Sequence, residues 1–144
     1  VELNSFELNL FNTFRSHIPK KHFPRNFTKH TDDRGSFVEI IRAGSAGQSS
    51  YSTTVPGITR GDHYHSRKIE RFAVISGKAS IKMRKVNSDE VVEYTLDGET
   101  PSYVDMPVWY THNITNIGNS ELITIFWINE PYNEEDSDTY FMKV

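Results

Sequence analysis

The sequence predicts an all-β domain, either a sandwich or a closed barrel, preceded by one short helix. Three features carry this reading. Short runs rich in β-branched and aromatic residues recur at roughly 8–12-residue spacing. Turn-forming clusters separate those runs. The texture changes from helical to strand-like near residue 28. In residues 1–18, Leu3, Phe6, Leu10 and Phe14 fall at helical spacing, and Phe11 and Ile18 widen the stripe. Asn4 is the expected cap, Glu7 reaches back to it, and Pro19 stops the helix. A stripe this apolar needs a surface: the chain's own sheet, a second subunit or another domain. Residues 1–27 are accordingly read as helix and linker, and residues 28–144 as the β domain.

The expected strands are Ser36 to Ile41, Gln48 to Val55, Ile69 to Ile75, Ala79 to Lys85, Val91 to Leu96 and Leu122 to Ile128. Between them stand Asp33-Arg34-Gly35, Gly44 to Gly47, Pro56-Gly57, Ser76-Gly77, Asn87-Ser88-Asp89, Asp97-Gly98 and Gly118-Asn119. The acidic tail after Pro131 ends in Tyr140-Phe141-Met142, which is expected to pack back on the domain.

A chain of 144 residues suits one domain with a sizeable core. Sixteen basic and nineteen acidic side chains give a net charge of -3, which excludes an electrostatic footprint for nucleic acid or an anionic membrane. The longest apolar run, Ile123 to Ile128, is far short of a membrane-spanning helix. The absence of cysteine rules out a disulfide scaffold and fits a reducing, cytoplasmic compartment. Val1 in place of an initiating Met, with no signal peptide, is read as a piece of a longer polypeptide.

The informative stretch is Gly57 to Gly77, GITRGDHYHSRKIERFAVISG. His63 and His65 alternate along an extended segment and leave the same face. Glu70 heads the next strand, where a turn can return its carboxylate to the same point. Further on, His112 follows Pro107 and precedes Asn116. Three imidazoles and a carboxylate suit zinc, iron, manganese, copper or nickel. A metal-free polar pocket is the alternative. Without a cysteine ligand, a metal site here would be of the open, exchangeable kind.

These residues resemble the cupin motifs. Gly57, His63, His65, Glu70 and Gly77 fit the first motif at every element, and Pro107, His112 and Asn116 fit the second. Trp109 replaces the second motif's glycine, and Gly98 lies nine positions before Pro107 rather than six, which suggests a longer loop and a different turn. The resemblance implies a double-stranded β-helix, a jelly-roll barrel, with His63, His65, Glu70 and His112 as metal ligands.

Asp33-Arg34-Gly35-Ser36-Phe37 with Glu39, Gln48-Ser49-Ser50 and Arg60-Gly61-Asp62-His63 are similar to segments of the dTDP-4-dehydrorhamnose 3,5-epimerase family. That similarity implies Arg34 and Arg60 as diphosphate contacts and Gln48 and Ser50 as pocket lining. Arg34 is otherwise a solvated turn residue, and Arg60 otherwise pairs with a carboxylate. That family's catalytic base does not carry over, because a metal-bound His63 has no free lone pair.

Over nearly its whole length the chain resembles the C-terminal cupin domain of CapF-type capsular polysaccharide enzymes. The resemblance rests on the leading helix, PGITRGDHYH, VISGKA, PVWYTHNI and the closing DTYF. It implies Zn2+ at the histidine cluster, other divalent metals being possible. It further implies C3 epimerisation of a UDP-2-acetamido-2,6-dideoxy-4-hexulose and fusion to an N-terminal short-chain dehydrogenase domain. A homodimer is also expected. Tyr110 shares the inward face of His112 and is either the proton donor or a cavity wall. Two other functions fit the same ligands: a metal-dependent oxygenase, and a non-catalytic module in which the metal staples a dimerising barrel.

Overall fold

The computed structural model describes residues 5–19, 22–44 and 46–144. Helix α1 spans Phe6–Ser16. Ser5 occupies the N-cap, and the Leu8 N–H donates to its hydroxyl at 3.2 Å. The expected cap, Asn4, lies outside the described residues, as does Leu3. The apolar stripe buries nothing here: Phe6, Leu10, Phe11 and Phe14 are all more than half exposed. The chain's own sheets are therefore not the surface it meets.

Eleven strands follow: β1 (Lys29–Asp32), β2 (Gly35–Ala43), β3 (Gly47–Thr54), β4 (Thr59–Tyr64), β5 (Glu70–Ser76), β6 (Lys78–Lys85), β7 (Val91–Asp97), β8 (Ser102–Met106), β9 (Tyr110–Asn116), β10 (Leu122–Ile128) and β11 (Tyr140–Phe141). One sheet has the order β1-β2-β3-β10-β5-β8 and the other β11-β4-β9-β6-β7. From β3 onward the chain crosses between sheets at nearly every step, as in a jelly roll. All six expected strands form. Of the other five, β4 and β9 are the extended segments that carry the histidines. The tail packs back as expected, with Tyr140 and Phe141 pairing to Tyr64 and His63.

Cross-strand register decides what faces the interior. Ser52, Thr124 and Val74 form one row across β3, β10 and β5; Ser50, Phe126 and Phe72 form the next. Gln48, Ile128, Glu70 and Met106 form the third, reaching β8. On the opposite sheet His63 pairs with His112, which pairs with Met83. The apolar core gathers Phe72, Val74, Ala79, Ile81, Met83, Leu96, Met106, Ile114 and Leu122. On β3 the buried interior is polar instead: Gln48, Ser50, Ser52 and Thr54. The barrel is thus packed solid on one side and lined with hydroxyl and amide groups on the other.

The turn before β9 departs from expectation. Trp109 adopts φ 63°, the left-handed conformation that favours glycine, so the glycine-type backbone persists under an indole side chain. Its N–H donates to the His65 carbonyl at 2.8 Å, and its ring stacks on Tyr64. That hydrogen bond and stack offset the conformational cost.

Asn116 closes the far end of β9. Fully buried, its amide donates to the Thr54 and Ser120 carbonyls at 2.8 Å each and accepts from the Gly118 N–H at 2.9 Å. Removing it strands the buried Thr54 carbonyl and leaves the part-buried Ser120 carbonyl and Gly118 N–H without their partner. Asn116→Ala should therefore lower the unfolding free energy by about 2–4 kcal/mol in urea titrations; a loss under about 0.5 kcal/mol would refute this accounting.

Candidate metal centre

The site is built by alternation. Along β4 and its extension the side chains of His63 and His65 turn inward. Tyr64, between them, turns outward and stacks on Trp109 and Tyr140, with ring centroids 5.8 and 5.1 Å away. Asp62 takes φ 60° at a register shift opposite β9, which sets the histidine pair in phase with His112. Glu70 enters from the opposing sheet as the first residue of β5.

The four groups converge. The Glu70 carboxylate oxygen Oε2 lies 2.8 Å from His112 Nε2, 3.2 Å from His65 Nε2 and 3.8 Å from His63 Nε2. One ligand atom from each residue lies within 4.8 Å of every other. His65 and His112 are buried, whereas His63 and Glu70 are partly accessible from the cavity side. Burial pushes the Glu70 carboxyl up, but the three facing imidazoles, where protonated toward it, outweigh burial and hold the acid well below its ordinary value. Burial likewise disfavours a charged His65, yet Glu70 and the Asp138 carbonyl raise its pKa on balance.

The donor set fits a divalent metal ion. His65 Nδ1 stands 2.5 Å from the Asp138 carbonyl oxygen, and His112 Nδ1 stands 3.0 Å from the Tyr110 carbonyl oxygen. A carbonyl can only accept, so both Nδ1 atoms carry the proton, and in the neutral rings both Nε2 atoms keep a lone pair aimed at the cluster. His65 Nε2 is also buried without a geometrically sound hydrogen bond. Lone pairs converging on a carboxylate call for a cation among them.

A second carboxylate holds this arrangement from behind. Asp138 Oδ1 accepts from the Ser66 N–H and hydroxyl, and Oδ2 accepts from the Arg67 and Lys68 N–H groups. Against its own burial, these bonds keep the Asp138 carboxyl far below the ordinary aspartate value. The same residue, at φ 44°, presents its carbonyl to His65. In the sequence Asp138 looks like one more acid of the tail, and its place inside the DTYF segment is the one sign of a further role.

The cluster opens on a cavity of about 880 Å³ whose walls include Gln48, Ser50, Phe37, Phe126, Lys68 and Tyr132. Gln48 and Ser50 thus share one space with His63, His65 and Glu70. Arg34 and Arg60 stand together outside that lining. Arg34 donates to Asp32 and holds its carboxyl at about 2. Arg60 donates to Thr54 Oγ1 and the Thr53 carbonyl, both at 3.0 Å; burial first, then the Arg34 charge, lowers its pKa. Tyr110 does not line the cavity, and its ring packs against the apolar core. Lys68, Asp138 and Tyr132 are site residues that motif reading passed over.

Two facing antiparallel sheets with a three-histidine, one-glutamate cluster between them define a cupin domain. The Drosophila melanogaster CENP-C cupin domain shares this architecture at TM-score 0.60 and 12% identity, over 70% of this chain and 74% of that one. Residues 30–140 match the family described as polysaccharide biosynthesis C-terminal domain, and the chain belongs to that family. It is 38% identical over 135 residues to UDP-2-acetamido-2,6-beta-L-arabino-hexul-4-ose reductase of Pseudomonas aeruginosa strain PA103, covering 94% of this chain and 36% of that protein. The crystal structure of the capsular polysaccharide assembling protein CapF from Staphylococcus aureus superimposes at TM-score 0.91 with 45% identity, over 98% of this chain and 38% of that one. The chain therefore spans little more than a third of these relatives. The family description and the CapF relative's name both refer to polysaccharide synthesis, and the Pseudomonas relative's name refers to a UDP-linked sugar.

If Asp138 sets the ligand geometry, Asp138→Ala should weaken whatever divalent-ion affinity the parent shows, Zn2+ being the probe, by about 10–100-fold in competition titration against a colorimetric chelator. Asp138→Asn, which keeps one acceptor oxygen, should fall between that variant and the parent. Affinities within twofold of the parent for both would remove Asp138 from the site.

Proposed function

We propose that this domain binds Zn2+ through His63, His65, Glu70 and His112 and epimerises C3 of a UDP-linked 2-acetamido-2,6-dideoxy-4-hexulose. The supporting observation is a cation-demanding ligand cluster set into the wall of a sugar-sized, partly polar cavity, in a chain similar to a reductase whose name specifies a UDP-linked 4-ulose. Activity as one half of a bifunctional enzyme with a short-chain dehydrogenase domain accords with the 36% of that relative which the chain spans, and a cytoplasmic location is proposed with it. No helix of the described residues is long and apolar enough to cross a membrane.

A ketone at C4 acidifies the C3 hydrogen, and inversion removes that proton from one face and returns one from the other. A bound Zn2+ supplies Lewis acidity toward the ketone, worth several kcal/mol. The chain's own groups place the sugar. Gln48 and Ser50 offer amide and hydroxyl contacts to ring substituents, while Phe37 and Phe126, stacked at 5.7 Å, form an apolar wall for the sugar's methyl face. Outside the cavity, Arg34 and Arg60 form the paired positive charge to which we assign the diphosphate. Tyr110, two residues before His112 on β9, is proposed as the proton donor on that position alone, since its ring packs against the apolar core and does not line the cavity. A homodimer is also proposed, and the aromatic side chains on the outer face of the first sheet support it: Tyr103 is 55% and Trp127 is 39% exposed.

In heavy water, the C3 proton signal of the UDP-4-keto-6-deoxy substrate should disappear from the NMR spectrum in the presence of the chain, and a chelator or Glu70→Gln should abolish that loss. Persistence of the signal with metal and substrate bound would overturn the epimerase reading. Reversing charge at Arg34 and Arg60 should weaken UDP-sugar binding by about tenfold or more while changing the melting temperature little; equal damage to both would refute the diphosphate assignment.

A further inference from the structure

Lys68 lies between two ligands in the sequence, yet the metal cluster makes no use of it. It is 2% exposed, placing it among the most completely buried side chains of the chain. Its ammonium donates one hydrogen bond, to the Ser137 carbonyl oxygen at 2.7 Å, and stands 5.7 Å from the centre of the Tyr132 ring. An ammonium has three donors, and among the described residues the other two find no partner. No carboxylate of the described residues comes within 4.0 Å of it. Glu130, close enough to feel its charge, is occupied by the Arg67 guanidinium. The neighbouring exposed cation is thus doubly paired, by Glu130 and Asp136, while the buried one is left without a counter-ion.

Such an arrangement is unfavourable in isolation, because a desolvated charge without a counter-ion destabilises the fold. It is also held in place: the Lys68 N–H is fixed by Asp138 and its Nζ by Ser137. The side chain lines the same cavity as His63, His65, Glu70 and Gln48. Anything that satisfies the two open donors therefore enters through that cavity, and a positive charge with unused N–H groups selects an anionic oxygen.

We propose that the Lys68 ammonium is the receptor for an anionic oxygen of the bound ligand, a second point of charge recognition in the cavity besides the metal cluster. The assignment rests on the reading of this cavity as a sugar-nucleotide site. Such a ligand carries the required chemistry in two places: the C4 oxygen that gains negative charge as the C3 proton leaves, and its diphosphate, which at Lys68 would replace the assignment to Arg34 and Arg60.

The test compares the parent chain with Lys68→Met and Lys68→Arg, each first checked for Zn2+ content. Melting temperature without ligand, affinity for UDP and for inorganic pyrophosphate by calorimetry, and the rate of C3 exchange are then measured. Lys68→Met, which keeps the stem and removes the unpaired charge, should melt at or above the parent temperature. If the oxygen belongs to the diphosphate, Lys68→Met should lose about tenfold or more in affinity for UDP and pyrophosphate, with Lys68→Arg retaining most of it. If it is the C4 oxygen, UDP affinity should persist and exchange should fall by at least as much. A lower melting temperature for Lys68→Met, with anion affinity and exchange within twofold of the parent, would make Lys68 a structural staple and overturn the proposal. A parent chain that binds neither anion and shows no exchange would overturn it as well. Exchange absent from the parent, with pyrophosphate binding present and dependent on Lys68, would sink the epimerase reading alone.

Discussion

One buried carboxylate organises this domain. Glu70 sits where a negative charge could not persist unaided, and the three imidazoles facing it can compensate it only by taking up protons or by sharing a cation with it. That requirement fixes the relative placement of β4, β5 and β9, because a slip of one residue in any of them would turn a ligand outward. The irregular features near the site serve the same end. The shift at Asp62 brings the histidine pair into phase, the left-handed Trp109 closes the turn onto the His65 carbonyl, and backbone carbonyls orient two of the rings. The tertiary structure sets the cluster as much as the cluster sets the tertiary structure.

The interior divides into two chemically different halves, and the division follows β3. Where Phe72, Val74 and Ile81 meet, the barrel is filled in the ordinary way and supplies the burial on which stability depends. Along Gln48, Ser50 and Ser52 the inward side chains are short and polar. They cannot fill the space, and they leave a cavity able to bind through hydrogen bonds. This arrangement exchanges some core for a binding volume. The buried amide of Asn116, tied to Thr54 at the end of β3, fastens that less densely packed wall to the opposite sheet.

Much of this was legible in the sequence because the strands that bury apolar faces announce themselves through β-branched and aromatic runs, and because His63, His65, Glu70 and His112 stand at fixed spacings on extended segments. The strands hardest to see were those whose composition serves the site. β4 reads TRGDHY, with a glycine and an aspartate inside it, and β11 exists only because β4 offers it an edge. At Trp109 residue type misleads about the backbone, because a tertiary hydrogen bond and a stacked ring override the preference of a large side chain against a left-handed φ. Lys68 and Asp138 were invisible for a related reason: a lysine beside an arginine and an aspartate in an acidic tail look solvated until the fold brings the tail onto the loop. The sequence reading of α1 left its partner open, and its exposed phenylalanines narrow the answer to a surface outside this domain.

The contact between His65 and Asp138 joins residues 73 positions apart, and its consequence reaches back to the folding of the chain. A zinc finger gathers its ligands within a short stretch, so metal can nucleate structure there before the rest of the protein exists. Here the coordinating groups come from two sheets, and the carbonyl that orients one of them comes from the last strand-forming segment. Loops of this length close slowly and late. A metal ion could gather His63, His65 and Glu70 from one short stretch, but the fourth ligand, His112, and the carbonyl that orients His65 would arrive only with the rest of the fold. Full occupancy of such a centre would then certify finished folding, and a chain arrested part-way would hold the ion with an incomplete set.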